Sequence, residues 1–283
     1  MSDAPADLDD PPAWADAFDG VSAVRALPLA DVREWAFDGA TGAGVRVAVV
    51  DSGVDAAHPA VGEVARSVAV RRVPDPPEGD DGIRFDEGPH DDLVGHGTAC
   101  AGIIRLFAPE AELWSVRVLG ANLKGQGGLL VAGVDWAVER GVEVLNLSLS
   151  SKSRAMFATL HEVADDAYFA GSTLVCAANN VPGPTYPSQF ASVVSVAARP
   201  GDDPWGLACN PRPPVEFGAR GIDVEVAWSG DGETSIVATG NSFAAPHVAG
   251  MVALLRSKHP WLAPYQVKAV LQAVSVNAVT AAS

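Results

Sequence analysis

The sequence predicts a single α/β domain whose central sheet is mostly parallel. Apolar, β-branched runs alternate with segments of helical spacing of ten or more residues, which is the pattern of βαβ units. The chain has 283 residues, of which 48% are hydrophobic and 19% charged, so it can bury a sizeable core. It contains neither an internal repeat nor an internal linker, so one domain is the simplest organisation.

Each element follows from local composition. The run 45–50 is β-branched and bounded by glycines, which predicts a buried strand, whereas residues 74–92 are dense in Pro, Gly, Asp and Glu and predict a surface loop. Residues 129–140 have helical spacing and end at Gly141, a typical helix C-terminus. The remaining predictions are strands at 113–119, 142–149, 173–177 and 193–197, helices at 96–106, 155–170, 242–257 and 264–274, and turns with short strands over 201–235.

The charge balance argues against several classes of partner. Acidic residues number 35 and basic residues 19, so the net charge is −16. Nucleic-acid binding needs a basic stripe for phosphates, and anionic membranes attract basic segments, so neither partner is expected. No apolar run approaches the ~18 residues of a membrane span. A cationic peptide, by contrast, would be attracted to this protein.

The first 22 residues predict a flexible acidic extension ahead of a folded domain at 23–283, because they are rich in Asp, Pro and Ala. A secretory signal begins basic and then apolar, whereas this start is acidic, so we expect a cytoplasmic location or an already trimmed chain. Cys100, Cys176 and Cys209 do not pair evenly and form no CxxC motif, as expected for free thiols in a reducing compartment.

Three polar residues stand where an open parallel sheet gathers its functional groups, at the carboxyl ends of strands. Asp51 follows the predicted strand 45–50, while His96 and Ser242 each open a predicted helix. Singly, they are interpretable as a turn residue, a surface group and a helix cap. Together they form an Asp, His, Ser order, which is one of the chain orders known for a Ser-His-Asp catalytic triad.

Three motifs, in order along the chain, carry a resemblance to a known family. They are Asp51-Ser52-Gly53, Gly95-His96-Gly97-Thr98 and Gly240-Asn241-Ser242-Phe243-Ala244-Ala245-Pro246-His247. From about Val24 onward the chain resembles a subtilisin-like serine protease, a subtilase of the intracellular type. The resemblance implies a three-layer α/β/α domain and a serine endopeptidase. Ser242 would be the nucleophile that carries the acyl-enzyme, His96 the general base and acid, and Asp51 the residue that orients His96.

The resemblance also implies an oxyanion hole and a substrate-binding cleft. In the family an Asn donates to the oxyanion, and residue-by-residue comparison assigns this role to Asn180, while Asn179 replaces a usual Gly. Substrate would add a strand between two enzyme segments. The substrate-binding residues are then Lys124, Gly125, Ser148, Leu149, Ser150, Ala177, Ala178 and Asn179. Bulk at Ser150 and Asn179 should narrow the S1 pocket, and Gly127 should leave S4 open.

Two departures from the family pattern bear on function. Asn241 stands next to the nucleophile, where the family nearly always has Thr. Residues 105–107 occupy the stretch where many relatives insert a calcium-binding loop, and they offer no carboxylate. We therefore expect no metal there and no required cofactor. The acidic run over 75–92 offers carboxylates for calcium, but charge-rich loops are more often merely solvated.

The sequence thus predicts an endopeptidase acting on peptide or protein substrates, with two alternatives. One is a processing or ligating subtilase dedicated to a single partner peptide, which the acidic surface and narrowed pocket would suit. The other is a catalytically silent scaffold that binds peptides, which Asn241 and the missing calcium loop would suit. Intracellular relatives carry a short extension that can block the cleft, and residues 1–22 would either inhibit in this way or form a simple tail.

Overall fold

The computed structural model describes residues 13, 15–18, 20, 24–25, 31–123, 125–230 and 233–279. Their strands are β1 Val24–Arg25, β2 Arg46–Asp51, β3 Arg66–Arg72, β4 Ile83–Glu87, β5 Glu112–Arg117, β6 Val144–Leu147, β7 Thr173–Ala177, β8 Val194–Arg199, β9 Ala208–Cys209, β10 Phe217–Arg220, β11 Val224–Gly230, β12 Glu233–Ala238 and β13 Ala278–Val279. Their α-helices are α1 Val32–Phe37, α2 His96–Phe107, α3 Gly127–Glu139, α4 Phe157–Phe169, α5 Asn241–Lys258 and α6 Pro264–Val274. Short 3-10 helices span Ala15–Phe18 and Arg154–Met156.

A nine-stranded sheet forms the centre of the molecule, in the order β4-β3-β5-β2-β6-β7-β8-β10-β9. Neighbours from β3 to β10 are parallel, and the outermost pairs at each edge are antiparallel. The strand order reverses at β2, since the chain places β3, β4 and β5 on one side of it and β6 to β10 on the other. Functional sites of open parallel sheets lie outside the carboxyl ends of strands at such a point.

Helices cover both faces of the sheet, and alternate residues of β2 show the two layers. Val47 and Val49 pack into one core with residues of α2 and α5, whereas Ala48 and Val50 pack into a second core with residues of α3 and α4. Side chains of a strand alternate between its faces, so each face of β2 is buried. The predicted three-layer α/β/α architecture is confirmed.

A pair of strands at one edge of the sheet was not predicted from the sequence. β3 was not predicted, and β4 lies inside the predicted surface loop 74–92. β4 is an antiparallel edge strand that is half-buried to exposed along its length, so it lacks the apolar run that marks a central strand. The predicted strand 142–149 is shorter in the structure, where β6 covers Val144–Leu147.

The described part of the predicted N-terminal extension includes the 3-10 helix Ala15–Phe18, in which Ala15 and Phe18 are buried. Farther along, β1 pairs in parallel with β13 near the other end of the chain. Among the described helices, none combines the length and apolarity that crossing a membrane requires.

Candidate active site

Asp51 and His96 form a hydrogen-bonded pair at the carboxyl end of β2. Asp51 is the last residue of β2 and is fully buried, and His96 is the first residue of α2. The His96 Nδ1 lies 2.8 Å from Oδ1 and 3.0 Å from Oδ2 of Asp51. The backbone N–H of Ser52 donates to the same Oδ1 at 2.7 Å and fixes the carboxylate. A carboxylate at Nδ1 holds a proton there and leaves Nε2 free to accept one.

Asp92 holds the start of α2 in place, a role that was not predicted from the sequence. One of its oxygens accepts hydrogen bonds from the Ser52 hydroxyl and from two backbone N–H groups of the turn before α2. The other accepts the N–H of Thr98 at 2.8 Å and its hydroxyl at 2.6 Å. The signal in the sequence is an Asp four residues before His96, where a carboxylate can cap a helix N-terminus.

The surroundings of His96 raise the pKa of its imidazole. Burial opposes the charged ring, but the charge and hydrogen bond of Asp51, with a further contribution from the charge of Asp92, outweigh burial. The site therefore favours the imidazolium that forms when the ring takes a proton from a neighbouring hydroxyl. The Phe243 ring lies with its centroid 5.4 Å from that of the imidazole and packs against it.

Ser242 lies in the first turn of α5, where its carbonyl would ordinarily accept a hydrogen bond from the residue four positions later. Pro246, four residues later, has no N–H to donate to it. The Ser148 hydroxyl donates to this carbonyl at 2.7 Å, and the Cys100 thiol lies 3.7 Å from the same oxygen. The Asn146 side-chain amide donates in turn to the Ser148 hydroxyl at 3.0 Å. Side chains following β6 and in α2 therefore hold the backbone of Ser242.

Asn180 lies beside Ser242, with Gly240 between them. The backbone N–H of Asn241 donates to the Asn180 Oδ1 at 2.9 Å, which fixes the side-chain amide and leaves its Nδ2 for another acceptor. A Cβ added at Gly240 would stand 3.1 Å from the Ser242 Oγ and 3.4 Å from the Asn180 Nδ2. Glycine therefore keeps the space between these two groups open.

A cavity of about 770 Å³ brings most of the predicted site residues together. Those that line it are His96, Ser148, Leu149, Ser150, Ala177, Ala178, Asn179, Asn180 and Ser242. Gly125 lines a smaller cavity of about 140 Å³ that shares Leu149 and Ser150 with the first. Lys124 falls outside the described residues.

The Ser242 hydroxyl and the His96 imidazole thus share one cleft. Within the described residues, no hydrogen bond joins the two groups. Contacts between a nucleophile and its base are often loose in a free enzyme and tighten when substrate binds.

The β11–β12 hairpin lines the same cavity, a role that was not predicted from the sequence. Trp228 of β11 and Ile236, Val237 and Ala238 of β12 contribute to the lining. Val237 is 68% exposed, so this part of the cleft presents apolar surface to solvent. The consecutive apolar residues at 236–238 were the available signal, but the glycine-rich and proline-rich stretch before them obscured it.

The structure shows the surroundings of two residues, Asn179 and Gly127, that were expected to shape pockets. The Asn179 side-chain amide donates to the Pro184 carbonyl at 3.2 Å, which holds it against the loop that follows. A Cβ at Gly127 would lie 2.7 Å from the side chain of Met156. Met156 therefore takes part of the space that the glycine was expected to leave open.

Asp51, His96 and Cys100 place three potential metal-ligand atoms within 4.8 Å of one another. Two of these residues are already joined by hydrogen bonds. Burial raises the pKa of the Cys100 thiol well above its usual range, so the thiolate that metal ligation requires is disfavoured. This chemistry fits a buried, protonated thiol better than a metal ligand.

The stretch where relatives insert a calcium loop contains a cationic side chain. The Arg105 guanidinium donates hydrogen bonds of 2.7–3.0 Å to four backbone carbonyls, those of Val61, Glu63, Pro109 and Ala111. Calcium needs six to eight oxygen ligands, and these oxygens already face a positive charge, so the residues present do not fit the ion.

The acidic run over 75–92 is also largely occupied by internal partners. Its ion pairs join Asp80 to Arg84, Asp86 to Arg71, and Glu87 to Arg140. The Arg84 side chain lowers the pKa of Asp80 to about 2. Arginines therefore balance these carboxylates within the chain.

Comparison with known protein families shows which family has this sequence pattern. Residues 42–281 match the subtilase family, Peptidase_S8, and the match spans all three motif segments. The chain belongs to the subtilase family. It is a serine endopeptidase, a hydrolase that acts on peptide bonds, and the predicted family and enzyme class are confirmed.

Several subtilases are similar over most of the chain. Subtilisin DY of Bacillus licheniformis is 29% identical over 266 residues, which cover 89% of this chain and 90% of that protein. Subtilisin BL of Lederbergia lenta is 32% identical over 260 residues, or 88% of this chain and 87% of that one. A thermostable alkaline protease of Halalkalibacterium halodurans is 32% identical, but the chain spans only 59% of its length.

A solved structure supports the same assignment. A cold-adapted subtilisin-like serine proteinase superposes on this subtilase with a TM-score of 0.62 at 26% identity. The superposition covers 92% of this chain and 90% of that one, so the likeness extends over most of both chains.

Proposed function

We propose that this subtilase cleaves peptide bonds through an acyl-enzyme on Ser242. The observation that carries the proposal is the buried Asp51–His96 pair, which opens onto the same cleft as Ser242 and Asn180. A serine hydroxyl is a weak nucleophile until a base takes its proton, and a carboxylate-supported imidazole is such a base. A catalytically silent scaffold would not need a buried Asp–His pair beside a serine, so this arrangement also argues against that alternative.

In the first step the Ser242 Oγ attacks the carbonyl carbon of the substrate, and its proton passes to the His96 Nε2. The carbonyl oxygen becomes an oxyanion, which accepts a hydrogen bond from the Asn180 Nδ2. The C–N bond then breaks as His96 gives the proton to the departing amine, which leaves an ester on Ser242. Asp51 holds the imidazole and stabilises its charged form throughout.

In the second step a water molecule replaces the amine. His96 accepts one proton from the water as its oxygen attacks the ester, and the same oxyanion site is used again. The bond from the acyl carbon to the Ser242 Oγ then breaks, and the proton returns to that oxygen. The product acid leaves and the enzyme is restored.

Substrate would bind in extended form between two segments of the cleft. Leu123 and Gly125 would offer one edge and residues 148–150 the other, so the substrate backbone would form β-like hydrogen bonds with both. Ala177, Ala178 and Asn179 would border the side chain next to the cleaved bond, since they line the cavity beside Ser242. No cofactor enters either chemical step.

The proposed route is tested by pre-steady-state hydrolysis of an activated ester. The wild-type chain should release a burst of one product equivalent per enzyme, because acylation precedes a slower deacylation. Ser242→Ala should show no burst, and Asn180→Ala should acylate about 10²–10³-fold more slowly. Product release without a burst, unchanged in Ser242→Ala, would contradict the acyl-enzyme.

A digest of mixed peptides separates general hydrolysis from dedicated processing. A general endopeptidase should cut many sequences at rates that vary smoothly with the residue before the cleaved bond. Cleavage confined to one sequence, or joined products in place of free acids, would favour the processing or ligating alternative.

A further inference from the structure

Asn241 makes a set of side-chain contacts that tie four backbone groups together. It is fully buried. Its Oδ1 accepts the N–H of Ala198 at 2.8 Å. Its Nδ2 lies 3.2 Å from the Ala178 carbonyl, 3.1 Å from that of Asn179 and 2.9 Å from that of Ala13. The side chain therefore points away from the cleft, into the backbone that carries the oxyanion candidate.

Ala13 completes this arrangement from the N-terminal segment. Its N–H donates to the Asn180 carbonyl at 2.6 Å, while its own carbonyl accepts from the Asn241 amide. One residue of the extension thus bridges Asn180 and Asn241 through the main chain. These contacts use the backbone of Asn180, and its side-chain Nδ2 remains directed to the space beside Ser242.

The described residues Ala13 and Ala15–Phe18, which we call the N-terminal strut, are fixed by an apolar contact. Phe18 is 5% exposed and packs in a cluster with Ala178, Ala197, Ala208 and Val215. The ring lies directly over Gly218 of β10, where an added Cβ would come within 2.5–2.7 Å of it. The absence of a side chain at Gly218 therefore makes room for the Phe18 ring. The strut packs on the sheet behind residues 178–180, which we call the oxyanion loop.

The chemistry of the amide explains why asparagine suits this position. One Asn side chain offers two N–H hydrogens and one acceptor oxygen, whereas Thr offers one hydroxyl hydrogen. A threonine at 241 would leave at least two of the carbonyls of Ala13, Ala178 and Asn179 without this donor. These carbonyls lie in or beside the oxyanion loop. Loss of the hydrogen bonds that they accept from residue 241 would therefore loosen the support of Asn180.

We propose that Asn241 is a positioning residue which, with the N-terminal strut, holds the Asn180 amide where the oxyanion forms. The inference rests on the proposed oxyanion role of Asn180. It also gives the strut a supporting role, which is the opposite of inhibiting the cleft. An oxyanion donor acts in the transition state, so loosening it lowers kcat and leaves KM nearly unchanged.

The test is a double-mutant cycle on the full chain, with kcat and KM measured on one peptide. Asn241→Thr and Phe18→Ala should each lower kcat about tenfold, with KM changed less than about twofold. In an Asn180→Ala background, both substitutions should leave kcat unchanged, because the group that they position is gone. Phe169→Ala removes a ring that is 80% exposed on α4 and is the matched control, with kcat as in the wild type.

The outcomes that overturn the inference are distinct. Equal losses with and without Asn180 would show that Asn241 acts on another part of the site. A rise in kcat/KM for Phe18→Ala would show that the strut inhibits. If Asn241→Thr does not fold, as judged by thermal melting, the Phe18 cycle decides alone, with Phe18→Leu expected to restore kcat. Absence of acylation in the wild-type chain would instead refute the proposed function itself.

Discussion

Gly97 lets the first turn of α2 lie against the loop that follows β2. A Cβ at this position would come 1.9 Å from the Gly53 carbonyl oxygen and 3.2 Å from the Asp51 Cβ. Gly97→Ala should therefore push α2 away from Asp51 and lower kcat/KM by about 100-fold, as misplacement by about 1 Å does. Steady-state kinetics measures the loss.

The matched control for this glycine is Gly128→Ala in α3. An added Cβ there has one neighbour within 4 Å, the end of the Arg72 side chain at 3.3 Å. Its kcat/KM should equal that of the wild type. Full activity in Gly97→Ala would contradict the close approach that places His96 beside Asp51.

The raised pKa of His96 predicts the acid limit of activity. The imidazole must be neutral to accept the serine proton, so activity falls as the pH drops through its pKa. Burial lowers that pKa, but the charge and hydrogen bond of Asp51 outweigh burial. The acid limb of kcat/KM should therefore lie above ~6.5, the ordinary value for histidine.

A pH profile of kcat/KM with an uncharged substrate measures this limb. Asp51→Asn should lower the rate by about 10⁴-fold, because it removes the acceptor that sets the tautomer. An acid limb at or below ~6.5 in the wild type would mean that burial dominates over the carboxylate.

At the scale of elements, Arg105 joins α2 to the loops at its far end. Its guanidinium donates hydrogen bonds to backbone carbonyls of two loops, those of Val61 and Glu63 and those of Pro109 and Ala111. Arg105→Met would leave four carbonyls without their charged donor and should cost about 2 kcal/mol of unfolding free energy. For a domain of this size that lowers Tm by roughly 5 °C.

Thermal melting of Arg105→Met beside Arg212→Met, an exposed loop arginine, checks this. We also expect a calcium chelator to leave the Tm of the wild type unchanged, because a resident guanidinium stands where relatives place a calcium loop. A large drop in Tm on chelation would contradict this, and so would equal Tm values for Arg105→Met and the wild type.

The central elements could be predicted from the sequence, whereas the edge elements could not. β2 is an apolar run because it is buried on both faces, and that run is visible in the sequence. β3 and β4 carry arginines and carboxylates that pair across the hairpin, as Arg71 does with Asp86. Their stability comes from pairing with each other and with β5, which local composition does not record.

The active site likewise has features that the sequence predicted and features that it did not. Asp51, His96 and Ser242 each stand in a local motif at a strand or helix boundary, so the sequence indicated all three. The bond from Ser148 to the Ser242 carbonyl joins residues 94 positions apart and depends on the missing N–H of Pro246. Such contacts arise only when the fold brings the elements together, and the same holds for the contacts of Asn241.

At the scale of the whole molecule, the net charge of −16 predicts a bias among substrates. A negative field concentrates cationic peptides and repels acidic ones. A peptide flanked by lysines should show a lower KM than the same peptide flanked by glutamates, and the difference should shrink at about 1 M salt, where the Debye length is about 3 Å.

Steady-state kinetics on the two peptides at low and high salt measures this bias. A neutral peptide of the same length is the control, and its KM should change little with salt. A preference that persists at high salt would show that specific pockets, and not the overall charge, select the substrate.

The central claim is that Ser242 is an activated nucleophile. It is tested most directly by intact-mass analysis after treatment with a fluorophosphonate, which labels activated serines. We expect one adduct per chain, on Ser242, which is absent in Ser242→Ala and forms much more slowly in His96→Ala. An unlabelled wild-type chain, or labelling that persists in Ser242→Ala, would contradict it.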